Sequence, residues 1–316
     1  HVSLPLRIGW LSWLGNGAVV FILYNRRHSL DAHDFLTFNL AISDASISIF
    51  GYSRGILEIF NVFRDDDFLV TSVWTCQVSG FLILLFGLVS INTLTAISVI
   101  RYIKGSLPHQ AHKVNRKNIA LSTLTVWAAA LFWSIAPLFG WGSYTDRRYG
   151  TCEIDWLKAT FCTTFKSYVI GVFICGFFLP VTIMIFCYGS IVKTVRSSHK
   201  ITRGGEISQR QQIMERNITQ VSFVICSAFL LAWSPYAVIS MWSACGFQVS
   251  ALTSVLASLF AKSASFYNPF IYIGMSSKFR KDIVTLFCCL RRDKKSATQM
   301  RTLVLDQINK PAACPN

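Results

Sequence analysis

Lys262 lies in the middle of a long apolar stretch, residues 250–274, which contains no aspartate or glutamate. An isolated ammonium group in such surroundings is costly, because burial disfavours the charged form of lysine. The neutral amine that results is a good nucleophile toward an aldehyde, with which it forms a Schiff base. A lysine that pairs with an acid from another helix for purely structural reasons explains the same position, and the residue alone does not separate the two.

Asp44 is another ionisable residue inside an apolar stretch, residues 35–60. Asn16, in the stretch 4–24, and Asn268, in the stretch that holds Lys262, fall at a similar depth. Three polar side chains at one level indicate a hydrated network between helices. The alternative is a set of separate helix–helix hydrogen bonds.

The composition places these residues in a membrane protein. Of 316 residues, 53% are hydrophobic and 14% are charged, whereas a soluble domain carries about 25% charged residues. A net charge of +15 and a pI of 9.6 are typical of nucleic-acid binding. The mean hydropathy of +0.46 over the whole chain excludes a soluble protein of that kind. No nucleic-acid partner is expected.

The elements that position Lys262 and Asp44 are long apolar segments, here numbered as spans one to seven. Each is long enough to cross the hydrocarbon layer, which takes about 20 residues. They are expected to be helices, because a backbone in lipid must satisfy its own hydrogen bonds. The predicted fold is an all-α membrane protein, a seven-transmembrane helix bundle over residues 1–276. The spans are approximately residues 4–24, 35–60, 73–99, 117–140, 165–192, 217–245 and 250–274.

The charges predict the orientation of the bundle. The segments that follow spans one, three, five and seven hold 22 of the 30 lysine and arginine residues. Basic loops stay in the cytoplasm, so the N-terminus is expected outside the plasma membrane. The acids Asp146, Glu153 and Asp155 then lie in the second outer loop. The chain begins with His1 rather than methionine, and we expect a native N-terminal tail before it.

The segment after span seven is predicted to bind the membrane surface, in addition to the spans that cross it. Residues 277–290 place apolar side chains at helical spacing among lysines and arginines, which is typical of an amphipathic helix on the inner leaflet. Cys288 and Cys289 at its end are candidate palmitoylation sites. The alternative is two ordinary free cysteines. Residues 291–316 are expected to form a disordered cytoplasmic tail.

Short motifs accompany Lys262 in the other spans. Cys76 opens span three and Cys152 lies in the second outer loop, a pair placed to form an extracellular disulfide. The other motifs are Asn268-Pro269-x-x-Tyr272, Trp233-x-Pro235-Tyr236, Ile100-Arg101-Tyr102, Asn39-Leu40-Ala41-x-x-Asp44, Gly15-Asn16, Trp127, Pro180 and Tyr188. Together these motifs resemble the rhodopsin-like family of G-protein-coupled receptors. Residues 260–272 resemble the retinal-attachment segment of opsins, and residues 232–244 are similar to neuropsin-type, non-visual opsins.

The resemblance implies a light sensor in which Lys262 binds retinal, in its 11-cis or all-trans form, through a Schiff base. A protonated Schiff base is a buried cation and requires a counter-ion. The residue that matches the counter-ion of vertebrate visual opsins is Ser79, which carries no charge. The other family position holds Asp146, so we expect Asp146 to be the counter-ion, directly or through water. Alternatively, Asp146 is simply one of several loop acids or pairs with Arg147.

The resemblance also assigns a retinal pocket and a set of residues that rearrange on activation. The implied pocket residues are Gly87, Trp156, Phe229, Trp233, Tyr236, Ala237, Ser258 and Ala261. The implied activation switches are Asp44, Arg101, Tyr102, Tyr188, Glu215, Pro235, Asn268, Pro269 and Tyr272. The family usually has an acid before Arg101, where this sequence has Ile100. Glu215 is expected to pair with Arg101 in its place.

The implied partners are the lipid bilayer, a heterotrimeric G protein, with the Gi/o type favoured, and arrestin. An enzyme is not expected. Because Ile100 stands where the family usually has an acid, a retinal photoisomerase or a retinal-binding photoprotein with weak G-protein coupling stays an alternative. A receptor for a diffusible ligand, in which Lys262 plays no part, also stays open. No metal site is predicted.

Overall fold

The computed structural model describes residues 3–61, 73–147, 151–198 and 206–285. The chain divides into two compact units, His1–Met275 and Ser276–Asn316. In its described residues, the first unit consists of helices and a two-stranded hairpin. The α-helices are α1 (Ser3–Asn25), α2 (Ala32–Asn61), α3 (Val73–Ser106), α4 (Arg116–Ile135), α5 (Thr163–Phe173), α6 (Leu179–Ser198), α7 (Glu206–Ala244), α8 (Ala251–Lys262) and α9 (Ala264–Met275).

Every predicted span corresponds to helical structure. Spans one to four are α1 to α4, and span six is α7. Span five consists of α5, a π-helical turn over Ile174–Phe178 and α6, and span seven consists of α8 and α9. Among the described residues, Val73–Ser106, Arg116–Phe139, Thr163–Arg196 and Ile213–Ala244 are long and apolar enough to cross a membrane as single segments. The seven-transmembrane bundle is confirmed.

The polar residues at two helix starts explain where those helices begin. Asn115 precedes α4, and its side chain accepts a hydrogen bond from the backbone N–H of Asn118 at 2.9 Å. Ser250 precedes α8 and accepts in the same way from the N–H of Thr253 at 3.1 Å. Each side chain satisfies one of the backbone donors that a helix start leaves open. The Ser250 cap thus fixes the start of the helix that ends at Lys262.

Three residues after Lys262, span seven has a backbone carbonyl without its helical donor, and span one supplies a donor in its place. Pro269 has no N–H, so the carbonyl of Ser265, four residues earlier, loses its helical donor. The Asn16 side chain donates to that carbonyl at 2.8 Å instead. The two spans approach closely at this point, since a Cβ on Gly15 would lie 2.9 Å from the Pro269 ring. Glycine at position 15 therefore permits the contact through which Asn16 reaches span seven.

The outer end of the bundle carries the hairpin. Strand β1 (Tyr144–Arg147) pairs antiparallel with β2 (Thr151–Ile154), and Asp146 lies opposite Cys152. The predicted disulfide between Cys76 and Cys152 is present, and it joins β2 to the outer end of span three. The Tyr144 hydroxyl donates to the carbonyl of Ser134 in span four at 2.7 Å. The hairpin is therefore tied to two spans.

The second unit contains a helix over residues 277–285. Its first turn begins with the Ser276 hydroxyl, which accepts from the N–H of Phe279 at 3.2 Å. Phe279 is buried and Arg280 and Lys281 are exposed, in keeping with the predicted amphipathic character. Binding of this helix to the membrane stays a prediction. Cys288, Cys289 and the tail 291–316 lie outside the described residues.

Candidate functional site

Lys262 is the last residue of α8 and is buried, with 6% of its surface exposed. Its Nζ donates a hydrogen bond to the carbonyl oxygen of Gly51 in span two at 3.1 Å. A Cβ on Gly51 would lie only 3.6 Å from the lysine stem, so the stem lies close against span two. Among the described residues, the hydrogen-bond acceptor of this buried amine is thus a neutral carbonyl.

A cavity reaches Lys262 from spans three, five and six and from the hairpin. Its wall is almost entirely apolar and aromatic, as in most sites for small organic ligands. All the pocket residues that the sequence predicted line it, namely Gly87, Trp156, Phe229, Trp233, Tyr236, Ala237, Ser258 and Ala261. The sequence did not predict the contribution of span five, which supplies Val172, Phe173, Gly176 and Phe177.

Aromatic rings give the cavity a rigid shape. Trp233 stacks on Phe229 with 5.6 Å between ring centroids and meets Tyr236 edge-on at 5.9 Å. A Cβ on Gly87 would lie 3.2 Å from the Trp233 ring, so span three leaves room for the indole only because residue 87 is glycine. On another part of the wall, Trp156 stacks on Phe173 at 5.1 Å. A flat, elongated, apolar ligand fits such surroundings.

Two polar atoms in this wall lack a hydrogen-bond acceptor among the described residues. They are the indole Nε1 atoms of Trp156 and Trp233, and both are buried. Buried donors usually have an acceptor. They add to the other polar groups of the wall, which belong to Lys262, Ser258, Tyr236 and Glu153, while the rest of the wall is apolar.

The carboxylate that lines the cavity is Glu153. It follows Cys152 in β2 and is 9% exposed. Its Oε2 accepts a hydrogen bond from the Tyr236 hydroxyl at 2.6 Å. Glu153 and Lys262 line the same cavity.

Asp146, the predicted counter-ion, does not line this cavity. Its side chain is exposed and lines a separate outer depression together with Asp155 and Ser254. Residues directly opposite each other in an antiparallel pair point to the same face. Asp146 therefore shares the face of Cys152 and not that of Glu153. A direct role for Asp146 finds no support in this geometry, and a role through water stays a prediction.

Glu153 was missed as a candidate because it occupies neither family position for a counter-ion. The signal that could have found it is its place in the sequence. A residue next to a disulfide cysteine is held close to the helix that carries the other cysteine. Here that helix is span three, which forms one wall of the cavity.

Asp44 forms the centre of a buried hydrogen-bond network. The Asn268 side chain donates to Asp44 Oδ2 at 2.6 Å, and the Ser90 hydroxyl donates to Oδ1 at 2.9 Å. The predicted proximity of Asp44 and Asn268 is thus a direct contact. Asn16 joins span seven through the Ser265 carbonyl.

A group of three serine hydroxyls, Ser12, Ser48 and Ser265, links this network to Lys262. The Ser12 oxygen lies 2.6 Å from that of Ser48 and 3.0 Å from that of Ser265. The Ser48 hydroxyl donates to the Asp44 carbonyl at 2.8 Å, and the Ser265 hydroxyl donates to the Lys262 carbonyl at 3.0 Å. Hydrogen bonds therefore run from the backbone at Lys262 to the backbone at Asp44.

The predicted pairing of Arg101 with Glu215 is present at the inner end of the bundle. Arg101 is 1% exposed, and its Nη1 donates to Glu215 Oε2 at 2.8 Å. Lys104 Nζ donates to the other oxygen of the same carboxylate at 3.3 Å. Ile100 is buried and offers Arg101 no charge. Glu215 therefore connects span six to two basic residues of span three.

The other predicted switch residues lie along spans three, five, six and seven. Tyr102 packs edge-on against Phe186, with ring centroids 5.6 Å apart. Tyr188 lies with its hydroxyl 3.6 Å from Cys226 Sγ of span six. Tyr272 and Pro269 are buried in α9, and Pro235 lies inside α7. Their roles as switches stay predictions.

The comparisons with known proteins agree with this fold. A family model described as "7 transmembrane receptor (rhodopsin family)" matches residues 15–272. Opsin-5 of Homo sapiens is 34% identical over 280 residues, which cover 86% of this chain and 77% of that protein. The visual pigment-like receptor peropsin of Homo sapiens is 29% identical over 302 residues, which cover 95% and 87%. The crystal structure of squid rhodopsin matches with a TM-score of 0.81 at 29% identity, covering 92% of this chain and 85% of that one.

The chain belongs to the rhodopsin family of seven-transmembrane receptors. It is a multi-pass membrane protein, and its relatives are receptors rather than enzymes. The resemblance to neuropsin-type opsins is confirmed by the similarity to Opsin-5.

Replacing Glu215 by glutamine is expected to raise the basal activity of the receptor. The change removes the carboxylate that holds buried Arg101, and a hydrogen bond to a charged group contributes about 1.5–3 kcal/mol. A shift of one to two kcal/mol changes a population ratio roughly 5- to 30-fold. The measurement is dark nucleotide exchange by a purified G protein.

Lys104→Gln is the matched control for this variant, because it removes the second hydrogen bond of Glu215 and leaves that of Arg101. Ile100→Glu is expected to act in the opposite direction, since it adds an acid next to Arg101. Equal dark exchange in Glu215→Gln and the parent protein would contradict the restraint.

Proposed function

We propose that this protein is a light sensor that binds retinal covalently through a Schiff base on Lys262 and signals to a heterotrimeric G protein. The observation that carries the proposal is the buried Lys262 amine at the wall of an apolar, aromatic cavity. Retinal combines the two properties that this site accommodates, an aldehyde and a long apolar chain. The names of the similar proteins, which include opsins and rhodopsins, support the same ligand class.

The residues of the site account for attachment and retention of such a ligand. The neutral Lys262 amine would hold the aldehyde of such a ligand as a Schiff base, with water as the leaving group. The Gly51 carbonyl orients the amine before attachment. Trp156, Phe229 and Trp233 exclude water from the bond once it has formed. When bound, retinal supplies the absorption of light and a change of shape on isomerisation.

The change of shape would act on span six. Trp233 projects into the cavity, and Pro235 follows it inside the same helix. Proline removes one hydrogen bond from the ladder, so the helix can bend there at low cost. One isomer favours each conformation of the receptor, and light shifts the population between them.

The inner face would then receive the signalling partner. Movement of span six separates Glu215 from Arg101 and exposes the arginine between spans three and six. We propose a Gi/o-type G protein as the partner, with arrestin as a further one. The excess of basic residues in the inner loops supports a cytoplasmic position for this face, with the N-terminus outside the plasma membrane.

A retinal photoisomerase, or a photoprotein with weak G-protein coupling, is the second candidate. The specific observation in its favour is Ile100, where the family usually has an acid. The charge that holds Arg101 comes from Glu215 and not from its neighbour in the sequence. Weaker control of Arg101 is compatible with a protein that isomerises retinal without signalling.

Spectra and nucleotide exchange together test the proposal. The full chain is incubated in the dark with 11-cis- or all-trans-retinal, and absorption is recorded before and after illumination. We expect a band distinct from that of free retinal, retinal that borohydride fixes to Lys262, and exchange that rises with light. Photoconversion without exchange by any G-protein class supports the photoisomerase. Absence of attached retinal favours a diffusible ligand.

A further inference from the structure

We infer that Glu153, held by Tyr236, is the carboxylate that balances the positive charge of the retinal Schiff base on Lys262. The inference rests on the proposed function, because it concerns the same cavity and the same lysine. It replaces the expected direct role of Asp146 with that of a residue seven positions later in the chain.

The first support is the position of Glu153 at the cavity. Its side chain is almost fully buried, although an isolated carboxylate strongly prefers water. Buried acids are normally paired or hydrogen-bonded. Lys262 is the lysine that lines the same cavity as Glu153. The surroundings therefore favour a pairing of charges across the cavity.

The second support is the way in which Glu153 is held. The disulfide between Cys76 and Cys152 fixes the preceding residue against span three. The Tyr236 hydroxyl, from span six, donates to the carboxylate at 2.6 Å. A hydrogen bond of this kind stabilises the ionised form of an acid. The carboxylate is thus oriented before any ligand binds.

The third support is the change in the N–H donors of Lys262 Nζ when retinal is attached. Lys262 Nζ carries three N–H donors as an ammonium and one as a protonated imine. Glu153 and Lys262 line the same cavity, so a retinal held there by Lys262 would have this carboxylate in its surroundings. In a medium of low dielectric constant, the remaining N–H and its charge are stabilised by the carboxylate of that cavity.

The fourth support is the register of the hairpin. Glu153 lies opposite Thr145, whereas Asp146 lies opposite Cys152. The two acids therefore point to opposite faces of the hairpin. Asp146 lines the outer depression with Asp155, and Glu153 lines the cavity. One substitution in each strand consequently gives a matched pair of variants.

The experiment compares Glu153→Gln with Asp146→Asn in the full chain reconstituted with 11-cis-retinal. Borohydride reduction first measures how much retinal is fixed to Lys262. Dark absorption is then recorded against pH, and the midpoint of the change from the visible to the ultraviolet band is determined. Loss of an opposite charge at close range lowers this midpoint by about 1–3 pH units. We expect that fall for Glu153→Gln, full attachment in both variants, and an unchanged midpoint for Asp146→Asn.

Two further variants guard against a simple loss of folding. Glu153→Asp keeps the charge and is expected to keep more of the visible band than Glu153→Gln. Tyr236→Phe removes the hydrogen bond but not the charge, so its midpoint is expected to fall less than that of Glu153→Gln.

The outcomes separate the inference from the proposed function. An unchanged midpoint in Glu153→Gln, with retinal still attached, overturns the inference and leaves the proposed function intact. A fall confined to Asp146→Asn also overturns it. Absence of attached retinal from the unmodified protein overturns the proposed function itself.

Discussion

Lys262→Ala is expected to abolish covalent retinal binding, leaving no pigment band above that of free retinal. The substitution removes the amine of the cavity, and the apolar wall that remains cannot form a covalent bond. Lys262→Arg is expected to give the same result. A guanidinium stays protonated in proteins and is not a nucleophile, although it keeps the positive charge. The pair of variants therefore distinguishes the need for a nucleophile from the need for a charge.

Lys166→Ala is the matched control, because Lys166 lies exposed in α5 and away from the cavity wall. It should bind retinal as the parent protein does. The readouts are the dark spectrum and the amount of retinal that borohydride fixes to the protein. Retinal fixed to the Lys262→Ala variant at the level of the parent would contradict the assignment of Lys262.

Cys152→Ser is expected to give the largest loss of stability. The bond to Cys76 closes a loop across a sequence separation of 76 residues. Removing a native disulfide typically costs about 2–5 kcal/mol. The loss also frees β2, which holds Glu153 and leads into Trp156 at the cavity wall. We expect a lower unfolding temperature and a lower yield of pigment.

Cys245→Ser is the control for this variant, since Cys245 is an exposed free cysteine after α7. Its unfolding temperature and pigment yield should match those of the parent. Thermal unfolding of the purified receptor, with and without retinal, provides the measurement. A Cys152→Ser variant as stable as the parent would show that the other contacts of the hairpin, such as that of Tyr144 with Ser134, hold it in place.

The sequence predicted the spans because they depend on local patterns, whereas the predicted cavity residues came from the family resemblance. Apolar length alone identifies a helix that crosses lipid, and Lys262 is conspicuous within one. The pairing of Arg101 with Glu215 was also predicted, because their spans end on the same side of the membrane. Such predictions require only the depth of a residue in the membrane, and not the direction in which its side chain points.

Which acid of the hairpin lines the cavity with Lys262 could not be predicted in the same way. It depends on which face of a four-residue strand each side chain occupies, and a shift of one residue exchanges the faces. Asp146 and Glu153 are both acids of one loop, so their residue types do not show which of them faces the cavity. The π-helical turn that places Gly176 and Phe177 at the cavity is likewise a departure from regular helix that no spacing revealed.

The three serine hydroxyls between Lys262 and Asp44 have a consequence for how these two residues are connected. Each hydroxyl has one proton and two lone pairs, and rotation about a single bond redirects the proton. Ser12, Ser48 and Ser265 lie within 3.4 Å of one another, so their protons can exchange acceptors while the oxygen atoms stay in place. The hydrogen bonds that link Lys262 to Asp44 can therefore be redirected without first repacking the surrounding side chains.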